Sequence, residues 1–294
     1  MPLYKCSSCQ KGEIYLPGRV TVIECNRCLQ PIVGSTPISQ LLRRRLSSTE
    51  WIRADGDVLV DFIMGSTCVQ AEVIDSASVL GQAFAACLES RRLFNATHRN
   101  VGHLSGRPGF ACSDFKKRGA LRRACLRVLG SSERAVQYNP NEEDPSVLGK
   151  LVEAEIGHRA SKRISDDIIS TAKVLRRVNH PLLGVEIHVL ADGDVQQTMP
   201  LEIKTQAGMP EDERSLARIF PTLHQLALQA FSQGVDEAVL LLVDRRFDGA
   251  GEYLAIRVRN LLEYHLDLVQ NWLQQGEDLA SLVQELSIGG ASLD

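Results

Sequence analysis

Apolar and polar positions alternate most regularly between Gly184 and Gln206. Val185, Ile187 and Val189 alternate with Glu186, His188 and Leu190. Ala191-Asp192-Gly193-Asp194 interrupts the run, and a second one leads into Leu201-Glu202-Ile203-Lys204. Alternation on both sides of a short Asp-Gly segment predicts a β-hairpin. A three-residue loop at Ala191-Asp192-Gly193, with Gly193 left-handed in a G1 bulge, would pair Glu186 with Thr198. Glu186, Glu202 and Lys204 would then share one face.

Other segments carry their own periods. The continuous run Ala238-Val239-Leu240-Leu241-Leu242-Val243 predicts a buried strand ending at Asp244-Arg245-Arg246, and Tyr253 to Val258 predicts another. Arg214 to Gln233 predicts a helix bent near Pro221, and Leu261 to Leu286 predicts one or two closing helices. Residues 57–63 and 67–74 read as a hairpin about Gly65, and Ser76 onward as a helix through Arg91. Asn95 to Gly109 reads as a loop. Glu143-Asp144-Pro145-Ser146 suits entry to a helix bearing Glu153, while Ser165 to Val178 reads as an amphipathic helix ended by Asn179-His180-Pro181.

Composition narrows the class. The 294 residues are 44% hydrophobic and 23% charged, with a net charge of −3, as in globular proteins with room for a sizeable core. The longest apolar runs are strand-sized, so no membrane span is expected, and the first residues lack an export pattern, which makes the cytoplasm the expected location. The mild negative charge argues against a surface that coats nucleic acid throughout. A local basic groove beside an acidic metal centre remains compatible with it.

Cys6-Ser7-Ser8-Cys9 and Cys25-Asn26-Arg27-Cys28 match a four-thiolate zinc spacing, with strands expected at 13–16 and 20–24. So short a segment buries little core, so bound Zn²⁺ would stabilise it. Two disulfides would need an oxidising compartment that nothing else in the chain indicates. The ribbon could contact nucleic acid, dock a protein partner or cap the fold. Gly34-Ser35-Thr36-Pro37 reads as a linker, followed by a short helix carrying Arg43-Arg44-Arg45. Lys116, Lys117, Arg118, Arg122, Arg123 and Arg127 form the densest positive stretch, on a helical spacing that suits either a DNA-backbone contact or a solvated basic face. Cys68 and Cys87 read as small buried residues, whereas Cys112 and Cys125 have no CxxC partner.

Two carboxylates and an amine on one hairpin face repel unless a cation lies between the acids. Hard oxygen ligands in small number suit Mg²⁺ or Mn²⁺, and a lysine alongside can orient or help deprotonate a water. The same face also fits solvated cross-strand partners.

In order, Gly149-Lys150-Leu151-Val152-Glu153, Gly184-Val185-Glu186, Glu202-Ile203-Lys204 and Gln225 through Gln229 resemble the RecB-like branch of the PD-(D/E)xK nucleases, which includes CRISPR adaptation exonucleases. The third element fits fully. The second fits loosely, with Glu for Asp and one residue fewer, and Gln229 stands where the family has Tyr. The resemblance implies an α/β (α+β) fold, a restriction-endonuclease-like mixed sheet flanked by helices, with the zinc ribbon at 1–34, a mixed middle region at 35–140 and the nuclease-like core at 141–294. It implies a metal-dependent deoxyribonuclease, for defence or repair, in which Glu153, Glu186, Glu202 and a carbonyl near Ile203 hold Mg²⁺ or Mn²⁺. Lys204 would position the water and Gln225 would support it or the DNA. A nucleic-acid-binding adaptor that has lost activity, using the ribbon and the basic helix, is the alternative.

Overall fold

The unbroken apolar run at 238–243 becomes the centre of the molecule because both faces of its strand are covered. The computed structural model describes the backbone of residues 3–5, 13–15, 23–24, 31–32, 110–111 and nine helical positions between 149 and 163, and it describes 50–89, 164–171, 175–244 and 250–274 as longer stretches. In chain order the elements are β1 (Leu3–Lys5), β2 (Glu13–Tyr15), β3 (Ile23–Glu24), β4 (Pro31–Ile32), β5 (Glu50–Arg53), α1 (Asp57–Ser66), β6 (Gln70–Val73), α2 (Val79–Leu88) and β7 (Phe110–Ala111). After the helical positions around Glu153 come β8 (Ile169–Ser170), β9 (Leu175–His180), β10 (Val185–Leu190), β11 (Gly193–Val195) and β12 (Met199–Gln206). A helical turn at Glu213–Leu216 then leads to α3 (Phe220–Gln233), β13 (Glu237–Asp244), β14 (Ala250–Arg259) and α4 (Leu261–Gln274).

A mixed seven-stranded sheet runs β5-β14-β13-β12-β11-β8, with β6 also on β14. Strands β12 and β13 are parallel, and β14 antiparallel to β13. Side chains alternate between faces. Val239, Leu241, Val243, Leu201 and Ile203 enter one core with Phe84 of α2 and with Val152 and Ile156 of the helical segment. Ala238, Leu240 and Leu242 enter the other, beneath α1, α3 and α4. The chain is thus an α/β mixed sheet flanked by helices, the expected fold class. β5 and β6 come from the middle region yet belong to this same sheet. Among the described residues no helix is long and apolar enough to cross a membrane.

The strongest alternation takes a different partner from the one expected. β10 does form, but it pairs antiparallel with β9 and parallel with β7 in a separate three-stranded sheet, so Glu186 lies opposite Asn179 rather than Thr198. The hairpin is instead β11 to β12, turning through Gln196 and Gln197, both left-handed at φ 51° and 61°. Gly193 is not among the left-handed glycines. Its lack of a side chain serves close packing, since a Cβ there would meet Ser170 O of β8 at 2.2 Å. The reason is local: β10 finds its hydrogen bonds in β9, and Asp192 leaves the ladder before β11 begins.

Three smaller expectations also change. Residues 57–66 are helical, because the buried set Leu59, Val60 and Ile63 follows the spacing of a helix face. Residues 169–170 and 175–180 are strands, the latter half-buried or buried at Arg176, Val178 and His180 and exposed at Arg177 and Asn179. Cys68 is exposed beside β6, whereas Cys87 is buried as expected. The restart of helix at Phe220, with Pro221 in the first turn, matches the bend read there.

Strands β1 and β2 pair antiparallel, as do β3 and β4, and in sequence each pair brackets one CxxC. Cys6, Cys9, Cys25, Cys28, Cys112 and Cys125, the arginines at 43–45, and Lys116, Lys117, Arg118, Arg122, Arg123 and Arg127 lie outside the described residues.

A buried histidine pair joins the smaller sheet to α4. Nε2 of His180, at the end of β9, lies 2.8 Å from Nε2 of His265, and both rings stack near Phe231. Nδ1 of His180 accepts from Leu183 N at 3.2 Å, so its proton is on Nε2, which donates to His265. Burial pushes the pKa of His180 down, and burial with His180 and His224 nearby pushes that of His265 down to about 3. Above the ordinary value of 6.5 both states are neutral and stability is complete. Below it the unfolded chain takes up protons that the folded pair refuses, so stability falls between about pH 6.5 and about pH 3. Between pH 6.5 and 5 one such histidine costs about 2 kcal/mol. Urea unfolding at pH 7 and 5 is expected to show this decline, and His265→Leu to flatten it; an equally steep decline in the variant would remove the pair as its source.

Candidate active site

The fold buries one carboxylate almost completely. Glu202 follows Leu201 on β12, so its side chain points away from the first core toward α3, and it is 2% exposed. Gln225 and Gln229, one helical turn apart on α3, are buried and meet it. Gln225 Nε2 donates to Glu202 Oε1 at 2.7 Å, and Gln229 Nε2 donates to Oε2 at 2.5 Å. Lys204, two residues on along the same face, contributes its ammonium to Oε1. The Glu-x-Lys spacing thus works as an intrastrand pair completed by a helix.

Asp192 is the acid that sequence reasoning missed. It lies between β10 and β11, where its N donates to Leu201 O at 3.0 Å and its Oδ2 accepts from Ile203 N at 3.0 Å. This holds it on the edge of β12 just beyond the β11 ladder, close enough to act on both Glu202 and Lys204. The available signal was an acid at the end of a buried strand. In sequence Asp192-Gly193 carries the signature of a turn tip, which hides that signal.

Burial and charge together explain two shifts of the same sign. Burial pushes the pKa of Glu202 up; Lys204 opposes that shift and Asp192 adds to it. Burial disfavours the Lys204 ammonium, but Glu202, then Asp192 and Glu153, outweigh it and hold the amine above the ordinary lysine range. The Glu202 shift is mainly one of burial, whereas that of Lys204 expresses a surplus of negative charge around one cation.

The remaining candidates fall in different places. Glu153 is helical, half-buried and near enough to act on Lys204. Gly149, one turn before it, carries no Cβ because one would meet Thr205 Oγ1 at 2.5 Å, so glycine lets this helix approach β12. Glu186 is elsewhere: its side chain is 47% exposed on the smaller sheet and bonds His188 Nε2 at 2.8 Å. The two do share a face, as their spacing requires, but β10 pairs with β9 and so does not deliver Glu186 to the face of Glu202.

Hard oxygen donors with surplus negative charge fit a small divalent cation. Asp192 and Glu202 would hold it, with Glu153, which acts on the same Lys204, as a further donor. Among the described residues, no three His, Cys, Asp or Glu side chains already converge at ligand spacing. In the structure it is Lys204 that supplies the cationic partner of Glu202.

No protein-family profile and no curated protein matches the chain. Among solved structures it is similar to the alkaline exonuclease LHK-Exo from Laribacter hongkongensis, at 13% identity and a TM-score of 0.39 over 63% of this chain and 95% of that one. It is also similar to the complex of LHK-Exo with dAMP, at 15% identity and a TM-score of 0.36, with the same coverage.

Removing Lys204 leaves a buried carboxylate without its counter-charge. Lys204→Met is expected to lower the unfolding free energy by about 3 kcal/mol near neutral pH. The folded variant's carboxyl would titrate above its unfolded value, so the loss should shrink as pH falls toward about 4.5. Urea unfolding across this range tests it; a loss independent of pH would mean that Glu202 is not the group exposed to the penalty.

Proposed function

We propose that the chain is a metal-dependent nuclease that hydrolyses DNA phosphodiester bonds. The observation that carries this reading is the convergence on buried Glu202 of Lys204, Gln225 and Gln229, with Asp192 pinned to the neighbouring Ile203 amide. A purely structural role gives no reason to gather acids around one amine with one of them, Glu202, fully buried, because replacing a buried ion pair with apolar residues is often neutral or stabilising. The order of the Glu153, Glu202-x-Lys204 and Gln225 elements, which resembles the RecB-like nucleases, points the same way.

Asp192, Glu202 and Glu153 would hold Mg²⁺ or Mn²⁺. The Ile203 carbonyl would join them: within a strand it projects from the same edge as the Ile203 N–H, which Asp192 occupies. Asp192 here takes the place first given to Glu186. The bound ion would stabilise charge on the phosphoryl oxygens and lower the pKa of water. Lys204 is an ammonium beside that position, suited to orient the attacking water and offset developing charge. Water would add to phosphorus in line and give up one proton to solvent, one P–O ester bond would break, and the leaving oxygen would take up one proton. Gln225 holds the Glu202 carboxylate in one orientation. We assign DNA-backbone contact to Lys116, Lys117, Arg118, Arg122 and Arg123, and structural Zn²⁺ to Cys6, Cys9, Cys25 and Cys28, in a ribbon open to a further protein partner.

The test is cleavage of labelled linear and circular DNA with Mg²⁺, Mn²⁺ or EDTA, beside Lys204→Gln, which keeps a donor for Glu202 but no charge. Cutting is expected with metal only, and the variant should be slower by about 100-fold or more. Undiminished cutting by the variant contradicts the role of Lys204. Binding without cutting in every condition selects the adaptor instead.

A further inference from the structure

We infer that Gln229 is a positioning residue that sets the separation of the two acids, Asp192 and Glu202. This rests on the metal site proposed above. The amide nitrogen of Gln229 donates both to Glu202 Oε2 at 2.5 Å and to Leu190 O, the last carbonyl of β10, at 3.1 Å. Both partners are acceptors only, so only the nitrogen end of the amide can face them, and its two protons serve one each. Leu190 is two residues before Asp192. Through one fully buried side chain, α3 therefore ties the strand that delivers one acid to the carboxylate of the other.

Gln225 does a different task, since its donation to Oε1 fixes how the carboxylate is turned. Gln229 fixes where the neighbouring sheet lies relative to it. The RecB-like family that the chain resembles carries Tyr at this position. A tyrosine hydroxyl has one proton and could not serve both acceptors. Gln229 is thus a two-acceptor clamp, fitted to a site whose second acid lies between two sheets.

Residues that orient metal ligands from behind change metal affinity by about 10-fold or more when lost, an effect separable from folding. The experiment is Mn²⁺ titration of the full chain, read from the EPR signal of the free ion, for wild type, Asp192→Ala, Gln229→Met and Gln229→Tyr, with thermal unfolding run alongside. Gln229→Met is expected to weaken Asp192-dependent Mn²⁺ binding by about 10-fold. Gln229→Tyr, with one donor left, should fall between it and wild type, and it serves alone if the methionine variant does not fold. A folded variant that binds Mn²⁺ within twofold of wild type overturns the inference, whatever its melting temperature. So does wild-type binding that Asp192→Ala leaves unchanged. Intact Asp192-dependent binding without DNA cleavage overturns the nuclease reading alone.

Discussion

The structure is built around the cost of burying one negative charge. An ionised carboxylate taken from water loses several kcal/mol of solvation and stays in the fold only when its oxygens are paired and bonded. Glu202 meets that requirement with donors from two elements: Lys204 on its own strand, and Gln225 and Gln229 on the helix above. If α3 shifts, the carboxylate loses its amides; if β12 slips by one residue, Glu202 and Lys204 turn into the apolar core beside Val152 and Ile156. Strand register and helix docking are therefore constrained by the site as well as by apolar packing.

The apolar scaffold leaves this arrangement little freedom. β13 is covered on both faces, so β12 beside it is held along its length, with Glu202 opposite Leu240 and Lys204 opposite Leu242. Besides its buried Ile187 and Val189, the smaller sheet is joined to α3 and α4 by polar contacts, which depend on alignment more than apolar ones do. Gln229 holds the end of β10, and the histidine pair holds the end of β9 against α4. Asp192 lies between the two sheets, so its position follows from both.

Much of this was legible in the sequence, and the failures have physical causes. The β13 run, the β14 strand, the restart of α3 at Pro221 and the shared face of Gln225 and Gln229 follow from local period and proline chemistry. The Glu202-x-Lys204 pair was visible because side chains two apart on a strand share a face. What local pattern does not contain is partner choice. The alternation at 185–190 specifies a strand but not that β9 and β7 take it, and with that error Glu186 received a position that the structure gives no strand to fill. Gly193 looked like a turn residue, although its need was room for a neighbouring carbonyl. Asp192 was hidden because Asp-Gly is a turn signature wherever it occurs, and its value depends on an amide eleven residues later.

We propose that Asp192, not Glu186, works with Glu202 on the metal. The most direct measurement compares Mn²⁺-dependent cleavage of linear DNA by Asp192→Asn and Glu186→Gln at equal folded concentration. Asp192→Asn is expected to lose at least about 100-fold, with Glu186→Gln cutting as the unaltered chain does. The reverse pattern would contradict it, returning the second acid to β10 and leaving Asp192 as no more than a cap on the Ile203 amide.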